Sequence, residues 1–347
     1  MQEMMESTKV SLPASAGFRP RRFLRNGHLQ TIMGNYLPRV DRLPAAVSQL
    51  VEVAAAADGQ IASQVLCHCH FQPAEVRAER PTALIVHGLE GSSDSQYVVG
   101  NANKLWAAGG NIIRMNMRNC GGTERLTPTL YHSGFSADIE AVLRFFIATQ
   151  GLQSVSAIGY SMGGNLVLKM AGDLGSAAPK ELRSVIGVSP AVDLGPSADA
   201  LHRPMNRLYE MKFLRALLRK FRRKAALFPG LYDAARAEGI RSIREFDDRI
   251  TAFYSGFSSA SDYYYRAAAA RVLDRIAVPT LILHALDDPF IRLTAETRAV
   301  ILGNPNITYL ETANGGHCAF LGEADMDGSD DGYWAESTLL RFLLRNT

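Results

Sequence analysis

Ser154-Val155-Ser156-Ala157-Ile158-Gly159-Tyr160-Ser161-Met162-Gly163-Gly164-Asn165 is the stretch that decides how this chain is read. Val155 to Ile158 is a short apolar run of strand type, and Leu166, Val167, Leu168, Met170 and Ala171 continue as an apolar helical run. Between them Ser161 stands with a glycine two residues before it and another two residues after. A turn this tight brings the strand and helix backbones together, so both flanking positions must lack bulk. The hydroxyl is then lifted clear at the positive end of a helix, where a developing oxyanion is stabilised. That is the geometry of a nucleophile elbow, and Ser161 is the candidate nucleophile.

Strands and helices alternate outward from this point. Before it come a buried-type strand over Thr82 to Val86, a helix over Ser95 to Ala108, a strand over Asn111 to Met117 and an amphipathic helix over Phe135 to Thr149. After it come strands over Arg183 to Val188 and Thr280 to Ala285, a helix ending at Leu302, a strand over Ile307 to Glu311 and a closing helix over Trp334 to Leu344. Nearer the N-terminus, Leu50 to Ala54 and Ile61 to Phe71 are strand-like and separated by Asp58-Gly59, a hairpin signal. This alternation implies an α/β fold, a mostly parallel sheet with helices on both faces.

Residues 193–278 break the rhythm and read as a helical cap inserted into a core formed by 18–192 and 279–347, after a flexible tail over 1–17. Phe18 to Val40 reads as basic and irregular. Within the insertion, Arg203 to Lys224 carries nine Lys or Arg against one acid, Glu210, and sets Leu214, Leu217, Leu218 and Phe221 on one helix face. A helix of this kind suits peripheral association with an anionic membrane surface. The alternative is that its apolar stripe packs against the protein and its charges form a solvated face.

Of the 347 residues, 47% are hydrophobic and 20% charged, enough for a large core. A net charge of +3 gives no general attraction to nucleic acid. Cys67, Cys69, Cys120 and Cys318 lack disulfide-scaffold spacing, the N-terminus lacks a secretory pattern, and no apolar run reaches membrane-spanning length. These features point to a cytoplasmic location. Cys67-His68-Cys69-His70 lies in a strand, where the cysteines face one side and the histidines the other, so a four-ligand metal site is not expected. Nothing in the sequence asks for a metal or an organic cofactor.

A serine nucleophile needs a base, a group that orients the base, and donors for the oxyanion. His317 follows the Ile307 to Glu311 strand and is the candidate base; the acid belongs after the preceding strand, where Asp287 and Asp288 both stand. Neighbouring residues of an extended segment point opposite ways, so one of the two reaches the imidazole. Pro289 biases Asp288 toward extended geometry, which favours Asp288. The oxyanion donors are expected to be the backbone N–H groups of Met162, after the nucleophile, and Leu89, in the first helix-leading loop. The His87 ring is expected to brace that loop.

Asn26-Gly27-His28-Leu29-Gln30-Thr31, His87-Gly88-Leu89-Glu90-Gly91-Ser92-Ser93, Cys120-Gly121-Gly122, Gly159-Tyr160-Ser161-Met162-Gly163-Gly164-Asn165, Asp287-Asp288-Pro289-Phe290 and Gly315-Gly316-His317 together resemble the YheT-like branch of the α/β hydrolases. That branch is similar to yeast medium-chain ethyl ester synthase/esterases and animal α/β-hydrolase-domain lipases. The resemblance covers the chain from about Phe18 and implies a serine esterase or lipase acting on acyl esters, with Asp288 in the acid's register. Cys318 departs from it, standing where a leucine-like residue is expected. The leading expectation is a carboxylic ester hydrolase. Acyl transfer to an alcohol by the same intermediate, and an inactive hydrolase fold serving as a binding module, are the alternatives.

Overall fold

The computed structural model describes residues 17–57, 59–324 and 331–347. Of the tail expected over 1–17, residues 1–16 lie outside the described residues, as does Asp58 of the hairpin signal. One eight-stranded sheet organises the rest: β1 (Val47–Ala54), β2 (Ser63–His70), β3 (Thr82–Val86), β4 (Asn111–Met115), β5 (Val155–Tyr160), β6 (Leu182–Val188), β7 (Thr280–Ala285) and β8 (Ile307–Thr312). Their spatial order is β1-β2-β4-β3-β5-β6-β7-β8. The β1–β2 and β2–β4 pairings are antiparallel and every pairing from β4 to β8 is parallel.

The reason is visible residue by residue. β3, β4, β5 and β7 are buried at every position, as largely apolar strands must be when helices cover both faces, with Asn111 and Arg114 of β4 as buried polar exceptions. Each fully buried Val, Leu or Ile of this kind contributes about 1.5–3 kcal/mol. On one face Val142, Phe146, Leu166, Val167 and Met170 come from helices Ser136–Gln150 and Met162–Leu174. On the other, Val98, Ala102, Leu105, Leu339 and Phe342 come from helices Gln96–Ala107 and Trp334–Arg345. Cys67 and Cys69 lie in the first of these clusters, whereas His70 turns the other way and meets Arg114 Nη2 at 3.2 Å.

From β3 the chain steps outward to β4, then returns past β3 to β5 and continues the opposite way. Such a reversal leaves a crevice at the carboxyl ends of the two central strands. The loops after β3 and β5, carrying Leu89 and Ser161, meet there.

Two expectations need correction. Phe18 to Val40 is not irregular throughout: Gly27–Tyr36 is a helix, capped by Asn26, whose Oδ1 accepts from His28 N at 2.9 Å and Leu29 N at 3.2 Å. The basic helix, Arg207–Leu227, is not a face of uniformly solvated charge either. Leu214, Leu217 and Phe221 are buried against Ile243, Phe246, Tyr264 and Phe290, so its apolar stripe is used in packing. Lys220 and Lys224 turn inward, and the Lys224 ammonium donates to Asn119 Oδ1 and Glu124 O, both at 2.8 Å, and to Thr127 O. Between β6 and β7 the described elements are all helical. Among the described residues no helix is long and apolar enough to cross a membrane.

Candidate active site

Ser161 sits at the end of β5 with φ 54° and ψ −116°, a strained conformation for a residue with a side chain. The surroundings enforce it. A Cβ on Gly159 would lie 2.1 Å from Gly163 O, and one on Gly163 would lie 2.4 Å from His87 O. Ser161 N donates to Val188 O at 2.9 Å, while Ser161 O accepts from Asn165 N at 3.0 Å and Ala191 N at 3.2 Å, which fixes the turn. Met162 begins helix Met162–Leu174, so its N–H has no acceptor within the helix.

The loop after β3 is held by His87. The ring is fully buried, which lowers its pKa to about 4 and keeps it neutral. Its Nδ1 bonds to Gly88 O at 2.8 Å, and its Nε2 accepts from Met117 N at 3.1 Å. The brace expected of His87 is therefore present, and it ties the loop to the end of β4.

Of the two aspartates, Asp288 meets the histidine: Asp288 Oδ2 lies 2.8 Å from His317 Nδ1. Its other oxygen accepts from Phe290 N at 3.0 Å and Ile291 N at 2.9 Å. Burial alone would raise this carboxyl, but His317 and the backbone donors hold it below the usual range. Asp287 points away and accepts from Gly316 N at 2.8 Å, which supports the loop that carries His317. On His317, burial opposes protonation, but the adjacent Cys318 sulfur and the Asp288 carboxylate overcome it and lift the imidazole to about 10.

Ser161 and His317 line the same cavity of about 790 Å³, together with Leu89, His28, Tyr209 and Phe290. Phe290 lies against the His317 ring, 4.3 Å between centroids.

Several supports were not legible in the sequence. Thr31 Oγ1 accepts from His317 N at 2.8 Å, and Gln30 bridges Leu24 O and Leu321 through both ends of its amide. The Asn26–Thr31 motif thus forms a helix that clamps the histidine loop. Glu90, at φ 57° immediately after Leu89, takes Lys220 Nζ at 2.8 Å and the Tyr131 hydroxyl. This links the loop after β3 to helix Arg207–Leu227. Asn165 donates to Ser133 O at 2.9 Å and Ala267 O at 3.0 Å and accepts from Ala269 N at 2.7 Å, tying the chain at Ala267 and Ala269 to the elbow helix. Asn165 and Thr31 lie in the quoted motifs, but no spacing rule assigns them these partners.

The described residues hold no cluster of three or more His, Cys, Asp or Glu arranged for a metal ion.

Comparison with known proteins agrees with this architecture. Residues 81–324 match the family model described as the alpha/beta hydrolase fold. YheT of Escherichia coli K12, whose name marks it as a candidate esterase, is 33% identical over 93% of this chain and 92% of its own length. The mouse phospholipase ABHD3 is 32% identical over 70% of this chain, which spans only 59% of that longer protein. Among solved structures, the Pyrococcus furiosus esterase Pf2001 superposes with a TM-score of 0.53 over 89% of this chain and 98% of its own, at 15% identity. That likeness speaks for the fold alone. With the elbow, the parallel sheet and the family match in agreement, the chain belongs to the α/β hydrolase family, in its YheT-like branch.

Proposed function

We propose that the protein is a serine carboxylic ester hydrolase working through an acyl-enzyme. The observation that carries this reading is the 2.8 Å contact of Asp288 with His317 Nδ1, on a ring that shares a cavity with the strained Ser161. Ser161 Oγ attacks the acyl carbonyl while His317 Nε2 takes its proton, and Asp288 holds the imidazole in the tautomer that can accept it. The Leu89 and Met162 N–H groups receive the oxyanion. His317 returns its proton to the departing alkoxide. It then takes one from a water that attacks the acyl-enzyme, and release of the acid restores Ser161. Residues 193–278 act as a cap over this site, and the esterase and phospholipase names of the relatives agree with an acyl ester substrate.

The test is direct. The protein should hydrolyse p-nitrophenyl acyl esters and be labelled by a fluorophosphonate. Ser161→Ala should lose about a millionfold in kcat and all labelling while keeping a native circular dichroism spectrum. Hydrolysis or labelling retained by the variant would refute the reading.

A further inference from the structure

A second cavity, of about 130 Å³, shares Ser161, Leu89, Phe213 and Phe290 with the first. Unlike the first, it is lined by Met162, beside the nucleophile. Its walls are apolar, with Leu194, Leu201, Leu217, Ile243, Phe246 and Ile291 among them. A narrow apolar recess at the nucleophile suits the acyl chain of an ester and leaves the wide cavity to the alcohol.

One feature does not fit a plain hydrocarbon chain. Asp247 lines this recess together with Thr251 and Tyr264. Its Oδ1 accepts from Thr251 Oγ1 at 2.8 Å and its Oδ2 from Tyr264 OH at 2.7 Å. Arg244, the cation that acts on it, pairs instead with Asp199 at 2.6 Å and offsets only part of the cost of burial. Burial accordingly pushes its pKa up to about 6. A carboxylate accepts about four hydrogen bonds, and this one has two, so acceptor capacity is left over on a wall of the recess. Asp247 also opens a π-helical segment, Asp247–Ala252, a rare geometry often found at functional sites.

An alkyl chain entering the recess would strip water from this carboxyl and return nothing. A chain bearing a hydroxyl would restore the lost hydrogen bond. An ammonium would have to shed its own strong hydration among apolar walls before it could meet the carboxylate. We infer that the recess is an acyl subsite in which Asp247 selects a hydroxylated acyl chain over the plain alkyl chain of the same length. This deepens the ester hydrolase reading and rests on it.

The test measures kcat/KM for ethyl esters of pentanoic, hexanoic and octanoic acids, their terminally hydroxylated counterparts and their terminally aminated ones, by acid release. At one chain length or more the hydroxylated ester should exceed the alkyl ester by about tenfold, the worth of one hydrogen bond to a charged group. Asp247→Leu should reverse that ratio, and the smaller change Asp247→Asn, the arm to use if Leu prevents folding, should shrink it severalfold. Ratios compared within one variant are independent of how much active enzyme survives. Alkyl esters matching or exceeding their hydroxylated partners at every length overturn the proposal, as does a preference left intact by Asp247→Leu or Asp247→Asn, or amines outranking hydroxyls. In each case the hydrolase reading stands. Failure of the wild type to hydrolyse any of these esters overturns the proposal, and failure on p-nitrophenyl acyl esters as well overturns both.

Discussion

Asp287 and Asp288 are adjacent and chemically identical, yet their surroundings give them different work. Asp288 is buried against the imidazole and Asp287 props the Gly316 backbone. Asp288→Asn should therefore cost about ten-thousandfold in kcat, since the amide favours the wrong tautomer of His317. Asp287→Asn keeps an acceptor oxygen for Gly316 and should be mild. Steady-state kinetics on the two variants decides between them, and the reverse ranking would move the acid to Asp287. The pH profile follows from the same contact. Hydrolysis needs neutral His317, and its neighbours raise its pKa, so kcat/KM should climb with pH to a midpoint above about 6.5, the ordinary histidine value. In Asp288→Asn the raising carboxylate is gone while burial remains, so the residual activity should have its midpoint at lower pH.

Helix Arg207–Leu227 shows how one element can serve two purposes. Its basic residues Arg215, Arg219 and Arg222 face solvent, while Lys220 reaches the core and neutralises Glu90 beside Leu89, the proposed oxyanion donor. The Lys220 ammonium also lies 4.5 Å from the Tyr131 ring centre, so the clasp joins charge, hydrogen bond and ring. Lys220→Met leaves a shielded carboxylate without its cation and frees the loop. The expected outcome is a fall in kcat of about tenfold to a hundredfold with a smaller change in KM, because the loop matters most where the oxyanion forms. Adding Glu90→Gln, which removes the stranded charge, should recover part of the loss. Arg222→Gln, made on the exposed side of the same helix, should leave kcat unchanged. Equal effects of Lys220→Met and Arg222→Gln would mean that the clasp has no part in catalysis.

For the molecule as a whole, Lys224 and His317 load folding in opposite directions as pH changes. His317 is raised to about 10 in the folded state, so its stabilising contribution is complete below about pH 6.5 and is lost as pH rises through about 10. Lys224 is lowered to about 7 by burial. Its penalty is complete below about pH 7 and fades as pH rises toward the unfolded value near 10.4. Lys224→Met removes the second contribution and leaves the first. Thermal unfolding followed between about pH 7 and about pH 10 should show Tm falling more steeply in the variant than in the wild type. Parallel slopes would mean that Lys224 keeps its ammonium, and all three acceptors, throughout that range.

What the sequence determined by itself was whatever short-range physics enforces. Gly159 and Gly163 are glycines because a Cβ would strike backbone a few residues away or in the adjoining strand end, so the elbow was legible locally. The apolar runs of β3, β5 and β7 announced a sheet covered on both faces, and strand order then placed the Asp and His loops. Tertiary structure decided the rest. Helix Gly27–Tyr36 escaped notice because its apolar pattern is weak; it earns its place by docking on a loop some 290 residues away, through Thr31 and Gln30. Nothing local distinguishes Lys220 and Lys224 from Arg219 and Arg222, for a charge turns inward only where acceptors from distant segments await it. The same holds for Asp247, ordinary in sequence and set in the wall of an apolar recess only by the fold. Steric and periodic signals act over a few residues, whereas desolvation and charge pairing depend on which distant segments arrive alongside.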